Sequence, residues 1–233
     1  MAKLERSGIK RIVEIFVWLV LQAVLLFAAA GRLDLPRAWA YFGVMLGYML
    51  ASQAITLLFL RDRMAEVMNA RGASHEGTKG WDKVMGVLYG VGLLVAPVVA
   101  GLDAGRFGWS SLGRGFLVPA LVVTVLGNAL AQWAILSNKH FEKTVRIQSD
   151  RDHRVVTTGP YRLVRHPGYV GIIAFSLAFP FVVGSAWALV PAGVSTLTMI
   201  VRTALEDRTL RRELDGYADY ARKTRYRLFP GLW

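Results

Sequence analysis

Residues 167–201, "PGYVGIIAFSLAFPFVVGSAWALVPAGVSTLTMIV", are 35 consecutive uncharged positions. At 1.5 Å per residue one straight helix of that length would reach about 52 Å. A bilayer's hydrocarbon core is only about 30 Å thick. Pro180, the Gly184–Ser185 pair and Pro191 interrupt the run where a backbone donor is missing or the chain turns at little cost. The run is therefore expected to fold as a hairpin of two helices, about 168–183 and 186–206, that returns to the side it left.

Four further runs, 12–30, 38–60, 84–102 and 115–138, are each apolar enough to span at about 20 residues per crossing. The first is longer than a typical signal core of about 7–15 residues, so it reads as a retained transmembrane helix. With 54% hydrophobic residues and a mean hydropathy of +0.39, the composition is that of an integral membrane protein. Six spans with a cytoplasmic N-terminus place 24 Lys and Arg inside and 4 outside, a strong positive-inside asymmetry. Both termini are then expected in the cytoplasm. The net charge of +12 lies between the spans rather than on one soluble face, which argues against nucleic acid and for anionic lipid. The expected fold is all-α and polytopic, one membrane domain over 1–233. Its N-terminal spans occupy 1–115 and its functional region 116–233.

Beyond the hairpin, Leu210, Leu214 and Tyr217 recur at helical spacing among charges, so 206–216 is expected to be an amphipathic helix on the membrane surface. The absence of cysteine removes thiolate metal sites and thiol nucleophiles. His75, His140, His153 and His166 show no HxxxH spacing, so no metal is expected. Neither GxGxxG after a strand, a Gly-rich GK[ST] loop nor a GxSxG elbow occurs, which removes the common nucleotide and serine-hydrolase routes. One cluster remains. Arg165, His166 and Tyr169 precede the hairpin and Arg202, Glu206 and Asp207 follow it, so its fold brings a cationic and an anionic edge to one cytoplasmic mouth. Polar groups gathered at membrane depth are costly and often functional.

"GPYRLVRHPGYVG", the hairpin, "EDRTL" and "YADYARKTRYRLFPGLW" together resemble the isoprenylcysteine carboxyl methyltransferase family and its phospholipid methyltransferase relatives. The family's RHPxY element corresponds to Arg165–Tyr169, and its EExxL element to Glu206–Leu210. The likeness covers about residues 138–233 and departs in one place, Asp207 standing for the second Glu. It implies S-adenosylmethionine as methyl donor, bound by Tyr161, Arg165, His166, Pro167, Tyr169, Arg202 and Glu206. The chemistry is compatible. Arg165 or His166 suits the ligand's carboxylate, and Glu206 its ammonium or a ribose hydroxyl. The Tyr161 and Tyr169 rings suit adenine or the sulfonium.

In-line methyl transfer needs alignment more than acid–base chemistry, so the acceptor is expected to be a lipophilic or amphiphilic molecule arriving from the bilayer. Asn138 and Arg146, with Gln132, are the candidate contacts at that acceptor end. Two other readings compete. Membrane sterol reductases share a similar closing region, and Arg222 and Arg225 would suit the extra phosphate of NADPH. A non-enzymatic carrier or scaffold could also keep the fold, although it has no need of an acidic pair opposite Arg165 and His166.

Overall fold

The computed structural model describes residues 3–72 and 77–233, and among these every regular element is helical. In chain order the α-helices are α1 (Arg6–Ala30), α2 (Pro36–Phe59), α3 (Arg61–Gly72), α4 (Gly80–Ala100), α5 (Leu117–Ser137), α6 (Pro167–Val183), α7 (Leu189–Glu213) and α8 (Tyr217–Lys223). A π-helical stretch, Gly101–Phe107, prolongs α4. Four segments are long and apolar enough to cross a membrane: Arg6–Ala30, Pro36–Phe59, Gly80–Phe107 and Arg114–Ser137. Helix α6 is a shorter apolar helix.

The uncharged run does break where its glycine stands. Gly184 ends α6 in the left-handed conformation, φ 89°, with its N–H on the Pro180 carbonyl at 2.9 Å. That conformation costs glycine little, which explains the residue there. The carbonyls at this end of α6 have no partner within the helix. Arg37 from the start of α2 reaches across to supply them, with Nε on Val182 O at 2.8 Å and Nη2 on Phe181 O at 2.5 Å. The buried Asp103 carboxylate accepts the Ser185 hydroxyl at 2.5 Å and the Ser110 N–H at 2.7 Å. The turn is thus pinned at the end of the hairpin away from the charged cluster.

Helices α5 and α6 pack at backbone contact. A side chain on Gly171 would put its Cβ 2.3 Å from the Gly127 carbonyl, so only hydrogen fits. This contact fixes the height of α6, and hence of the residues leading into it, against the end of α5.

Two features differ from the sequence-based expectation. The amphipathic stretch is no separate surface helix, because α7 runs unbroken to Glu213. Leu210 and Leu214 instead pack on Ala134, Tyr161, Tyr217 and Tyr220, since burying both against protein removes more apolar area from water than a shallow interfacial seat. The polar segment after α2 contains α3. Its Met64, Val67 and Met68 are buried against Ile12 and Ile135, and Arg63 Nε holds the Leu136 carbonyl at 2.7 Å.

Candidate active site

The hairpin brings the two charged edges together around Asp207, which is fully buried beyond the uncharged part of α7. Arg165 Nε donates to its Oδ1 at 2.7 Å, 42 residues away in sequence. Arg211 Nε and Arg227 Nε donate to Oδ2 at 3.0 and 2.9 Å, and the Tyr217 hydroxyl donates to Oδ1 at 3.1 Å. Burial alone would push this carboxyl up. Hydrogen bonds from His166, Arg165 and Arg227 outweigh it and hold the group well below the usual carboxylate range. Burial and the Asp207 carboxylate push the Tyr217 hydroxyl up, so it stays a donor.

Arg165 is likewise committed. Its Nη1 donates to the Thr224 and Arg225 carbonyls at 2.7 Å each, and Nη2 to Asp207 at 3.3 Å. Four of the five guanidinium N–H groups are thus used in holding the C-terminal segment to α7. That segment runs beside the motif, with Arg165 N–H on Tyr226 O at 2.9 Å and His166 N–H on Arg227 O at 3.0 Å. Pro167 opens α6 at its first turn, where a missing N–H is harmless.

In the first turn of α6, the Tyr169 hydroxyl donates to Glu206 Oε2 at 2.5 Å. The His166 and Tyr169 rings lie nearly parallel, 6° apart with centroids at 5.7 Å. Arg202 stands 5.4 Å from the Tyr169 ring centre, but its hydrogen bonds go elsewhere. Nε and Nη2 grip the buried Asp82 of α4 at 2.8 and 3.3 Å, and Nη2 also holds the Lys143 carbonyl at 2.7 Å. Asp82 accepts the Val145 N–H as well, at 2.7 Å. This pair ties α4, α7 and the segment after α5 into one frame.

The segment 138–158 forms the other wall. Asn138 Nδ2 faces the Tyr161 hydroxyl at 3.4 Å, and its Oδ1 caps the His140 N–H at 2.9 Å. Arg146 is held between Glu142 (2.9 Å) and Asp150 (2.6 Å), which push its guanidinium pKa further up. The His140 and His153 rings lie 4.6 Å apart, tilted by 35°. The Gln148 side chain accepts from His140 Nδ1 at 3.2 Å, and its backbone N–H donates to His153 Nδ1 at 3.3 Å. Burial lowers both imidazoles, with His140 and nearby arginines taking His153 down to about 4. Both are therefore neutral at pH 7.

Between these walls lies a cavity with about 750 Å³ of open space. Asn138, Arg146, Tyr161, Arg165, His166, Tyr169 and Glu206 line it, whereas Arg202 and Pro167 stand behind the lining. Gln132 is not at the cavity. It accepts from Tyr48 at 3.0 Å and donates to Thr56 at 3.1 Å, bridging α5 to α2. Sequence reasoning passed over Asp82, His140, Gln148 and His153; the spacing of His140 and His153 carries no recognised pattern. It also ranked Asp207 below Glu206. His75 lies outside the described residues. Among the described residues no three His, Asp or Glu side chains gather as a metal site.

A membrane-embedded helical protein with a polar cavity between its closing hairpin and an inter-helical segment is the class these features define. Residues 120–212 match the model of the isoprenylcysteine carboxyl methyltransferase (ICMT) family. A probable protein-S-isoprenylcysteine O-methyltransferase of Oryza sativa subsp. indica is 33% identical over 58 residues, covering 24% of this chain and 30% of that protein. Protein-S-isoprenylcysteine O-methyltransferase B of Arabidopsis thaliana is 33% identical over 58 residues, 24% of this chain and 29% of its own. The chain thus spans under a third of the plant relatives it matches. A longer match, 33% over 148 residues, joins 57% of this chain to 58% of the cobalt-zinc-cadmium resistance protein CzcN of Cupriavidus metallidurans.

Proposed function

We propose that the chain is an S-adenosylmethionine-dependent methyltransferase acting on a lipophilic or amphiphilic acceptor, with its site at the cytoplasmic mouth of a six-span bundle. The observation that carries this reading is the junction of the RHPGY and EDRTL elements around one cavity, sealed by the Tyr169–Glu206 hydrogen bond at 2.5 Å. The residues present suit the donor. The cavity lining offers the carboxylate of Glu206, beside a Glu142 already paired with Arg146, neutral imidazoles at His140 and His153, and aromatic faces at Tyr169 and Phe141. When bound, S-adenosylmethionine would supply a methyl group on a cationic sulfur.

The chain's own part is orientation. Glu206, with one oxygen taken by Tyr169, has the other to receive an ammonium or a ribose hydroxyl. Arg165 braces the site instead of binding there, and His166 turns to Asp207 with it, so Asn138 is the better partner for a carboxylate. Arg146, buried between two acids, holds the wall on which His140 and His153 stand. His153 accepts a backbone N–H at Nδ1, which makes Nε2 its protonated nitrogen, a donor and not a base.

The reductase reading gains nothing from its arginines. Arg222 is paired with Asp219, Arg225 is exposed, and neither lines the cavity. Transfer of labelled methyl from S-adenosylmethionine into a membrane lipid extract, followed by product identification, tests the proposal. A methylated lipophile is expected. Thermal stabilisation by NADPH with none by S-adenosylmethionine would replace this reading by the reductase one.

A further inference from the structure

A second cavity, with about 820 Å³ of open space, lies within the helices and shares no lining residue with the first. Helices α1, α2, α4, α5, α6 and α7 all contribute to it. The first three lie outside the stretch matched by the family model. Ser176 on its wall sits nine residues into α6, about 14 Å from that helix's start and so at the depth of the hydrocarbon. No Asp, Glu, Lys, Arg or His lines it, which excludes a charged occupant at that depth.

Its polar groups are few, and two donors are already spent. Gln22 Nε2 bonds the Leu93 carbonyl at 3.3 Å and Asn128 Nδ2 the Thr124 carbonyl at 2.8 Å. Ser176 differs. It is more than nine-tenths buried, and its Oγ makes no hydrogen bond among the described residues, the Tyr89 hydroxyl standing near without bonding geometry. A buried hydroxyl left unpaired is costly, a cost that a bound polar group would remove.

We infer that this cavity is a binding site for a neutral, single-chain membrane lipophile bearing one hydroxyl or carbonyl, with Ser176 as its hydrogen-bonding partner. The lining fits that description: Trp18, Met45, Met49, Phe175 and Phe179 offer polarizable apolar surface, and Ser176 supplies one neutral contact. The inference is independent of the methyl-transfer reading.

The test uses the full chain in phosphatidylcholine vesicles with a hexadecanol carrying a diazirine and an alkyne, beside the matching hydrocarbon probe. Photoadducts of the alcohol are expected to concentrate at Leu93, Phe175 and Phe179, above the outward-facing Val87 and Leu126. Ser176→Ala should cut alcohol capture about fivefold, one net hydrogen bond, and leave hydrocarbon capture unchanged. Ala192→Phe should abolish both. Adducts no denser in the cavity than at Val87 and Leu126 would overturn the inference, as would Ser176→Ala changing neither probe or both alike. Should Ala192→Phe fail to fold, the comparison of the two probes on Ser176→Ala still decides. S-adenosylmethionine binding, measured on the same vesicles, reports on the methyl-transfer reading separately.

Discussion

Replacing Asp207 by Asn keeps the size of the side chain and deletes the charge on which three arginines converge. The cost can be apportioned from exposure. The Arg165 side chain is 2% exposed, so it loses the counter-ion it has among the described residues where water cannot replace it. Breaking a buried pair from one side costs about 3–5 kcal/mol. Arg211 and Arg227 are 44% and 29% exposed; they can turn to solvent, and their share is small. At about 2–4 °C per kcal/mol for a chain of this size, Asp207→Asn should melt roughly 10 °C below wild type in a detergent thermal scan. Glu206→Gln, which disturbs one hydrogen bond at the edge of an open cavity, should melt close to wild type. Pairing Asp207→Leu with Arg165→Met should recover part of the loss, because an apolar pair carries no buried charge. The pH dependence has a definite sign. A depressed carboxyl contributes fully above its unfolded pKa of about 3.9 and loses that contribution as pH falls through the lower folded value, so the deficit should be constant from pH 5 to 8. Equal melting of Asp207→Asn and wild type would refute the reasoning.

Gly171→Ala should destabilise by about 1–3 kcal/mol through overpacking against the Gly127 carbonyl, whereas Gly43→Ala, with nothing within 4 Å, should be neutral or stabilising in the same scan. His153, whose folded pKa is about 4, binds a proton more readily in the unfolded chain, near 6.5. Its effect is flat above pH 6.5 and destabilises as pH falls toward 4. Protection factors for amide exchange over residues 138–158, taken relative to the intrinsic rate at each pH, should therefore fall over that window and fall less in His153→Asn; identical profiles would remove His153 from the account. Reporters fused after Asp150 and at Trp233 should lie on the same, cytoplasmic side, and opposite sides would rule out the six-span topology.

The hairpin was legible because charge is absent over 167–201 and Gly184 marks the place where α6 must stop. Its consequence, the meeting of Tyr169 with Glu206, followed from topology alone. The division of labour between Glu206 and Asp207 did not. Adjacent positions on a helix point about 100° apart, so one carboxylate faces the cavity and the other the C-terminal segment, and only the packing of α7 decides which. Arg165 and Arg202 read as ligand contacts because sequence shows a cation without showing its partners. Asp82 is 120 residues from Arg202, and nothing local predicts that pairing. Helix α3 stayed hidden because Met64, Val67 and Met68 sit among charges that dilute its apolar face.

Equilibrium binding of S-adenosylmethionine to the purified chain, wild type beside Glu206→Gln, bears most directly on the cavity as a methyl-donor site. One saturable site per chain is predicted for wild type, weakened at least tenfold in Glu206→Gln, the scale of one charge-assisted hydrogen bond, with the melting temperature retained. No saturable binding to the folded wild-type chain in detergent or lipid, or equal affinity in the two proteins, would contradict the account.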